Sequence, residues 1–172
     1  MAVSTPLELQ PLNKAVHNRE AFDCGVDHLN KWLCTQAVSA AKRNLSRTKV
    51  LVSPDDPATV IGYYSIANTM LHGLEKYPKQ GAPALLLGRM AVNRSHQGKR
   101  IGEQLLLAAM RDTAYLSADP RLAPVIGLVV DPKDGAAGFY LSYGFEEIEM
   151  DDGITRLFMP ASKCVEVTEA MS

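Results

Sequence analysis

The stretch Ser95-His96-Gln97-Gly98-Lys99-Arg100-Ile101-Gly102 carries the residue types of an anion site. A strand-like apolar run at 84–92 precedes it and a helix-like run at 103–116 follows. The first N–H groups of a helix have no internal partners, and the macrodipole adds positive potential there. Gly98 and Gly102 keep side chains away, so a pyrophosphate can approach the main chain, while Lys99 and Arg100 add charge. Turns and ordinary helix starts also use glycine, so the loop taken alone leaves a structural reading open. A second segment of interest is Gly138-Phe139-Tyr140-Leu141-Ser142-Tyr143-Gly144-Phe145, in which either tyrosine on its own reads as core.

The elements that must position these residues are visible in the apolar pattern. An edge strand is expected at 7–12, limited by Pro6 and Pro11. Asp27 is a fitting N-cap for a helix over 27–44, with Leu29, Trp32, Leu33, Ala37 and Ala40 on one face. Paired strands follow at 48–52 and 59–67, then a loop with a short helix over 70–83. The continuous apolarity of 84–92 marks a central strand. The helix after the glycine loop buries Ile101, Leu105, Leu106, Ala109 and Thr113. A strand at 125–130 is parallel to 84–92, because a helical crossover joins them. A short helix at 135–142 and a hairpin of 145–150 with 154–160 around Asp151-Asp152-Gly153 close the order. The fold class is α/β of the α+β type: a twisted, mostly antiparallel sheet with one parallel central pair, flanked by helices. One domain spans 1–172, with 161–172 an exposed tail.

The two motifs together resemble the GNAT superfamily of acetyl-CoA-dependent N-acetyltransferases. Their pyrophosphate loop reads Gln/Arg-x-x-Gly-x-Gly/Ala, which Gln97 and Gly102 match and Arg100 departs from. An arginine fits there if its backbone stays helical and its side chain points outward. The chain is similar in particular to the toxin branch of bacterial type II toxin–antitoxin pairs. That likeness rests on Phe22-Asp23-Cys24-Gly25, Trp32-Leu33, Arg47-Thr48, Gly62-Tyr63-Tyr64-Ser65, Leu87-Gly88-Arg89-Met90-Ala91-Val92 and Arg156-Leu157-Phe158-Met159-Pro160.

The resemblance implies that the parallel strands splay to admit acetyl-CoA. Its pantetheine arm would lie along the backbones of Met90, Ala91 and Val92, and its pyrophosphate on Gln97, Gly98, Lys99, Arg100, Ile101 and Gly102. Main-chain N–H near Val92 would polarise the thioester carbonyl. Tyr140 matches the tyrosine that protonates the departing thiolate, a role open to a phenol whose ordinary pKa is about 10. Tyr143 competes for that role but is expected to pack on Gly144-Phe145. His72, Glu75 and His96 are general-base candidates without fixed geometry, and the α-amine of an aminoacyl ester needs no strong base. The implied function is acetylation of the α-amino group of aminoacyl-tRNA, which blocks translation. A ribbon–helix–helix antitoxin would neutralise the toxin and, as a complex with it, repress the operon; the toxins are commonly homodimers. A GNAT enzyme acting on a small amine or a protein N-terminus, and a CoA-binding module without transfer, remain alternatives.

Composition limits the classes. Hydrophobic residues make up 47% and charged residues 22% of 172, ordinary for a globular domain. The net charge of −1 argues against a strongly basic nucleic-acid binder, yet the cations are clustered. Lys42, Arg43, Arg47 and Lys49 form one group and Arg89 and Arg94, beside the loop, another; together they are the candidate tRNA face. Cys24, Cys34 and Cys164 form neither a disulfide framework nor a metal-ligand pattern, so no metal is expected and free thiols in a reducing compartment are. Residues 1–13 lack a secretory pattern and no apolar run approaches a membrane span, so a cytoplasmic protein is expected.

Overall fold

The computed structural model describes residues 5–133, 135–149 and 153–171. Among them are strands β1 (Glu8–Pro11), β2 (Arg47–Val52), β3 (Gly62–Leu71), β4 (Ala82–Val92), β5 (Gly127–Val130), β6 (Glu146–Glu149) and β7 (Thr155–Pro160). The helices are α1 (Asp27–Thr35), α2 (Ala37–Lys42), α3 (Ile101–Ala118), α4 (Ala137–Ser142) and α5 (Ala161–Ala170). The strands follow the order β1-β2-β3-β4-β5-β7-β6, with β4 and β5 parallel. The chain divides into two compact units. One holds residues up to 66 with 89–106; the other holds 67–88 with the residues from 107 on. No helix among the described residues is long and apolar enough to cross a membrane.

In the first unit β1 runs antiparallel to β2, from Glu8↔Val52 to Pro11↔Lys49, and β2 antiparallel to β3, from Arg47↔Ile66 to Leu51↔Gly62. Period-two alternation puts Val50 and Val52 on one face, where they join Phe22, Trp32, Leu33, Ala37 and Tyr63 in a core. The Tyr63 ring lies stacked on Trp32 at 6.1 Å and edge-on to Phe22 at 5.4 Å. Burial pushes its phenol pKa up, and its hydroxyl donates to the Leu29 carbonyl at 2.7 Å, which fastens α1 to the sheet.

The single helix expected over 27–44 is instead two, broken at Gln36. The Cys34 carbonyl accepts from Arg19 Nη1 at 2.8 Å, and Thr35 Oγ1 donates back to the Lys31 carbonyl at 2.7 Å. Back-bonding of this kind bends helices, and a carbonyl taken by a side chain no longer holds the next turn. Asp27 is not the N-cap; Val26 occupies that place with no side-chain bond, and Asp27 is the first helical residue.

In the second unit β4 and β5 pair from Leu85↔Leu128 to Leu87↔Val130. Strand β7 continues the sheet antiparallel to β5, and β6 pairs antiparallel with β7. A Cβ on Gly127 would collide with the Met159 carbonyl and the Phe158 ring, so only glycine fits that strand crossing. Leu71, Ala84, Val129 and Phe158 form the buried cluster. The expected short helix over 70–83 is absent among the described residues. β3 runs on to Leu71, and the link to Ala82 is made of turns such as Gly81 N–H to the Pro78 carbonyl. Met150, Asp151 and Asp152 of the expected closing hairpin lie outside the described residues.

The expected exposed tail at 161–172 is wrong for most of its length: Ala161–Ala170 is helix α5, and Cys164 is wholly buried. Ala161, Cys164, Val165 and Thr168 share one face at helical spacing and are the buried or half-buried residues on it. They are small and weakly apolar, which is why the stripe does not stand out in the sequence.

Candidate active site

Asn93 ends β4 and builds the turn before the loop. Its Oδ1 accepts from Ser95 N–H at 3.2 Å, and its own N–H donates to the Ile61 carbonyl at 2.8 Å. A 3-10 turn, Arg94–His96, follows. Gln97 then donates both hydrogens of its side-chain amide, to the Cys24 carbonyl at 3.0 Å and to the Val92 carbonyl at 3.0 Å. Gly98 has φ +82, and a Cβ there would meet nothing within 4 Å, so the loop surface is open at that point. Ile101, the first residue of α3, is 4% exposed and anchors the loop from below. Its side chain is core, so only its main chain can face a ligand.

Arg100 does not have the helical backbone on which its fit to the loop pattern was made conditional. Its φ is +61, in the left-handed region that glycine occupies at little cost. The chain must reverse its twist between Gly98 and the first turn of α3, and that geometry explains why the family pattern has glycine there. The arginine adopts the glycine conformation rather than replacing it with another.

The β4–β5 ladder stops at Leu87↔Val130 because β5 ends at Val130, while β4 continues through residues 88–92. Met90 and Val92 are half-buried and Ala91 is buried, so their side chains pack while main-chain groups remain on the strand. An open glycine turn, a left-handed residue and the free amides of a helix start fit an anionic, elongated ligand such as acetyl-CoA.

In the second unit Tyr140 sits on α4, 7% exposed, with its ring edge-on to Phe139 at 5.2 Å and to Phe145 at 5.7 Å. Burial raises its pKa above the ordinary phenol value, which keeps the proton on the oxygen. The hydroxyl has no hydrogen-bond partner among the described residues. Tyr143 is half-buried and packs on Phe139 at 5.1 Å; Phe145 takes Tyr140 as its neighbour, the reverse of the expected packing.

The candidate tRNA cations all lie in the first unit, and Arg47, Lys49, Arg89 and Arg94 have structural partners. Arg47 donates to the Ala41 carbonyl at 2.8 Å and to Asn44 Oδ1 at 3.2 Å, closing the end of α2. The Arg89 guanidinium lies 4.2 Å from the Trp32 ring centre. Arg94 Nε is 3.6 Å from Asp23 Oδ2. Lys49 lies 6.0 Å from the Tyr64 ring, and Lys42 and Arg43 close α2. Of the general-base candidates, His96 Nδ1 is 2.8 Å from Ser95 Oγ and His72 packs against Gly81. Sequence reasoning missed Asp23 and Asn30, which hold the turn beneath the loop; the Asp23-Cys24-Gly25 string was the available signal.

Residues 46–147, more than half of the chain, match the family described as the acetyltransferase (GNAT) domain. The chain belongs to that family, enzymes that transfer an acetyl group from acetyl-CoA to an amine. Within it, the chain is 24% identical to a protein named probable toxin TacT of Sinorhizobium fredii (strain NBRC 101917 / NGR234), over 88% of this chain and 90% of that one. A tyrosine-to-phenylalanine mutant of KacT superposes with a TM-score of 0.82 at 27% identity, covering 94% of this chain and 98% of that one. AtaT complexed with acetyl-methionyl-tRNAfMet gives 0.80 at 26% identity, covering 97% and 100%. A tyrosine-to-phenylalanine mutant of AtaT, bound to acetyl-CoA and the C-terminus of the antitoxin AtaR, gives 0.80 at 27%, covering 94% and 97%.

Proposed function

We propose that this acetyltransferase is a toxin that acetylates the α-amino group of aminoacyl-tRNA and so blocks translation. The observation that carries the reading is the whole-length likeness to AtaT, solved with acetyl-methionyl-tRNAfMet. In this proposal one catalytic domain spans the chain. Gln97 to Gly102 hold the pyrophosphate and Met90 to Val92 offer main chain to the pantetheine arm. Acetyl-CoA, when bound, supplies the activated acetyl group. Main-chain N–H near Val92 stabilises negative charge on the acetyl oxygen, and Tyr140 holds the proton that a sulfur leaving group needs. The tyrosine-to-phenylalanine substitutions chosen in KacT and AtaT support a tyrosine in that role. Lys42 and Arg43 meet phosphate, with smaller shares from Arg47, Lys49, Arg89 and Arg94.

The protein works in the cytoplasm as a homodimer, restrained by a ribbon–helix–helix antitoxin that carries the complex to operator DNA. The solved AtaT–AtaR complex supports an antitoxin partner. The partnered state of Arg47, Lys49, Arg89 and Arg94 thins the basic face and favours a small amine as the second reading. The deciding experiment incubates the protein with labelled acetyl-CoA and either total charged tRNA, free polyamine or a peptide. Label on aminoacyl ester, released by mild base, is the expected result. Label on polyamine or peptide alone overturns it.

A further inference from the structure

The turn at residues 23–25 is bonded to two elements at once. Toward α1, Asn30 Oδ1 accepts the Cys24 N–H at 2.9 Å, and Asn30 Nδ2 donates to Asp23 Oδ1 at 3.1 Å. Asp23 Oδ1 also accepts the Gly25 N–H at 2.9 Å. One planar amide thus uses its acceptor on the main chain and its donor on a carboxylate, a combination that neither Asp nor Ala offers. Toward the cofactor loop, Arg94 N–H donates to the Asp23 carbonyl at 2.9 Å, and Gln97 donates to the Cys24 carbonyl. Gly25, at φ +87, brings the Arg94 guanidinium against the turn; a Cβ there would stand 3.1 Å from Arg94 Nε. The Gly25 amide foremost, then Asn30 and Arg94, hold the Asp23 carboxyl below its ordinary pKa. The turn is therefore charged and held at neutral pH.

We propose that Asn30 is a positioning residue for acetyl-CoA: from α1, without a hydrogen bond to the loop, it fixes the 23–25 turn from which Arg94 and Gln97 suspend the pyrophosphate loop. The inference rests on reading residues 97–102 as that loop. Backbone amides recognise a phosphate only in one arrangement, and small displacements of a binding group are costly. When only a fraction of molecules hold the competent arrangement, the apparent dissociation constant rises by the inverse of that fraction. Asn30→Ala leaves the Cys24 amide without its acceptor and Asp23 with one donor fewer. Asp23→Asn keeps the shape and removes the charge facing Arg94.

Isothermal titration with acetyl-CoA, initial rates and amide hydrogen exchange test the assignment. Asn30→Ala is expected to raise the acetyl-CoA dissociation constant about tenfold, as a loop competent in about a tenth of molecules requires. The rate at saturating acetyl-CoA should stay within about threefold, because no group that touches the reacting atoms is removed. Exchange at residues 93–102 should quicken while exchange in β5 and β7 does not. Asp23→Asn is expected to show the same pattern at about threefold. A purely structural role would lower the melting temperature and leave the affinity of the folded protein alone. Parent-like affinity in Asn30→Ala overturns the proposal; if that variant does not fold, parent-like affinity in Asp23→Asn does. Should the unaltered protein bind no acetyl-CoA, the cofactor reading falls. The exchange comparison then decides on the brace, with unchanged exchange at 93–102 counting against it.

Discussion

Arg100→Gly tests the geometry of the cofactor loop through stability. Arg100 holds φ +61, where an L side chain brings Cβ close to the following carbonyl at a cost of roughly 1–2 kcal/mol. Glycine removes that cost but gives the unfolded chain more freedom, which takes back roughly 0.5–1 kcal/mol. The Arg100 residue is exposed, so little packing is given up. Taking the middle of each range, the net is a gain of about 0.75 kcal/mol, or a rise of about 1.5–3 °C in Tm for a chain of this size. Arg100→Ala provides the control: it removes the same charge and keeps the left-handed strain, so its Tm should stay near that of the parent. Thermal unfolding of the three proteins side by side, followed by acetyl-CoA titration, is the assay. Arg100→Gly should bind acetyl-CoA at least as tightly as Arg100→Ala, since both lack the guanidinium and only one relaxes the loop. An Arg100→Gly protein no more stable than Arg100→Ala would refute the claim that backbone strain resides at this residue.

Tyr140→Phe keeps the buried ring and removes only a hydroxyl that has no partner among the described residues, so transfer should slow by roughly 10²–10⁴ with acetyl-CoA affinity within a few-fold. Tyr143→Phe should cost much less, and a stopped-flow comparison that reversed this order would assign the acid to the wrong residue. Replacing Lys42 and Arg43 together by alanine should flatten the dependence of log tRNA affinity on log salt, by about 0.7–0.9 for each phosphate no longer neutralised. Arg47→Ala should instead lower Tm, because it uncaps α2. Burial pushes the Cys164 thiol up to about 12. The neutral thiol therefore contributes stability in full below about pH 8.5, its unfolded value, and loses it as pH rises through the folded value. Chemical denaturation at stepped pH should show a shallower alkaline loss in Cys164→Ala than in the parent, and thiol reagents should reach Cys164 only on unfolding.

Elements whose apolar residues are large and regular could be read from the sequence. The unbroken run in β4, the parallel β5 after a helical crossover and the buried stripe of α3 all follow from side-chain size and period. Helix α5 could not, because Ala161, Cys164, Val165 and Thr168 are too small to make a strong pattern. Nor could the break at Gln36, which depends on Arg19 reaching a carbonyl fifteen residues away. The loop could be located from its glycines and cations. The left-handed state of Arg100 could not, since arginine is an ordinary helix former and its φ is imposed by the turn around it. Charge clustering marked out six cations, but pattern carries no information on what each already holds. Arg47, Arg89 and Arg94 proved to have a helix end, an aromatic face and a carboxylate as partners.

The two bonds of the Gln97 amide limit which amino acids its position can hold. Both neighbours are main-chain carbonyls, which accept and never donate, so the occupant must offer at least two N–H groups in a planar fork. Glutamine and arginine have such a fork and glutamate has none, although glutamate matches glutamine in length and shape. The choice of Gln or Arg that opens the family's loop pattern then follows from the scaffold, with no need for that side chain to touch the cofactor. Gln97→Glu would set a carboxylate against two carbonyl oxygens, the least tolerable of the near-isosteric exchanges at this corner of the molecule.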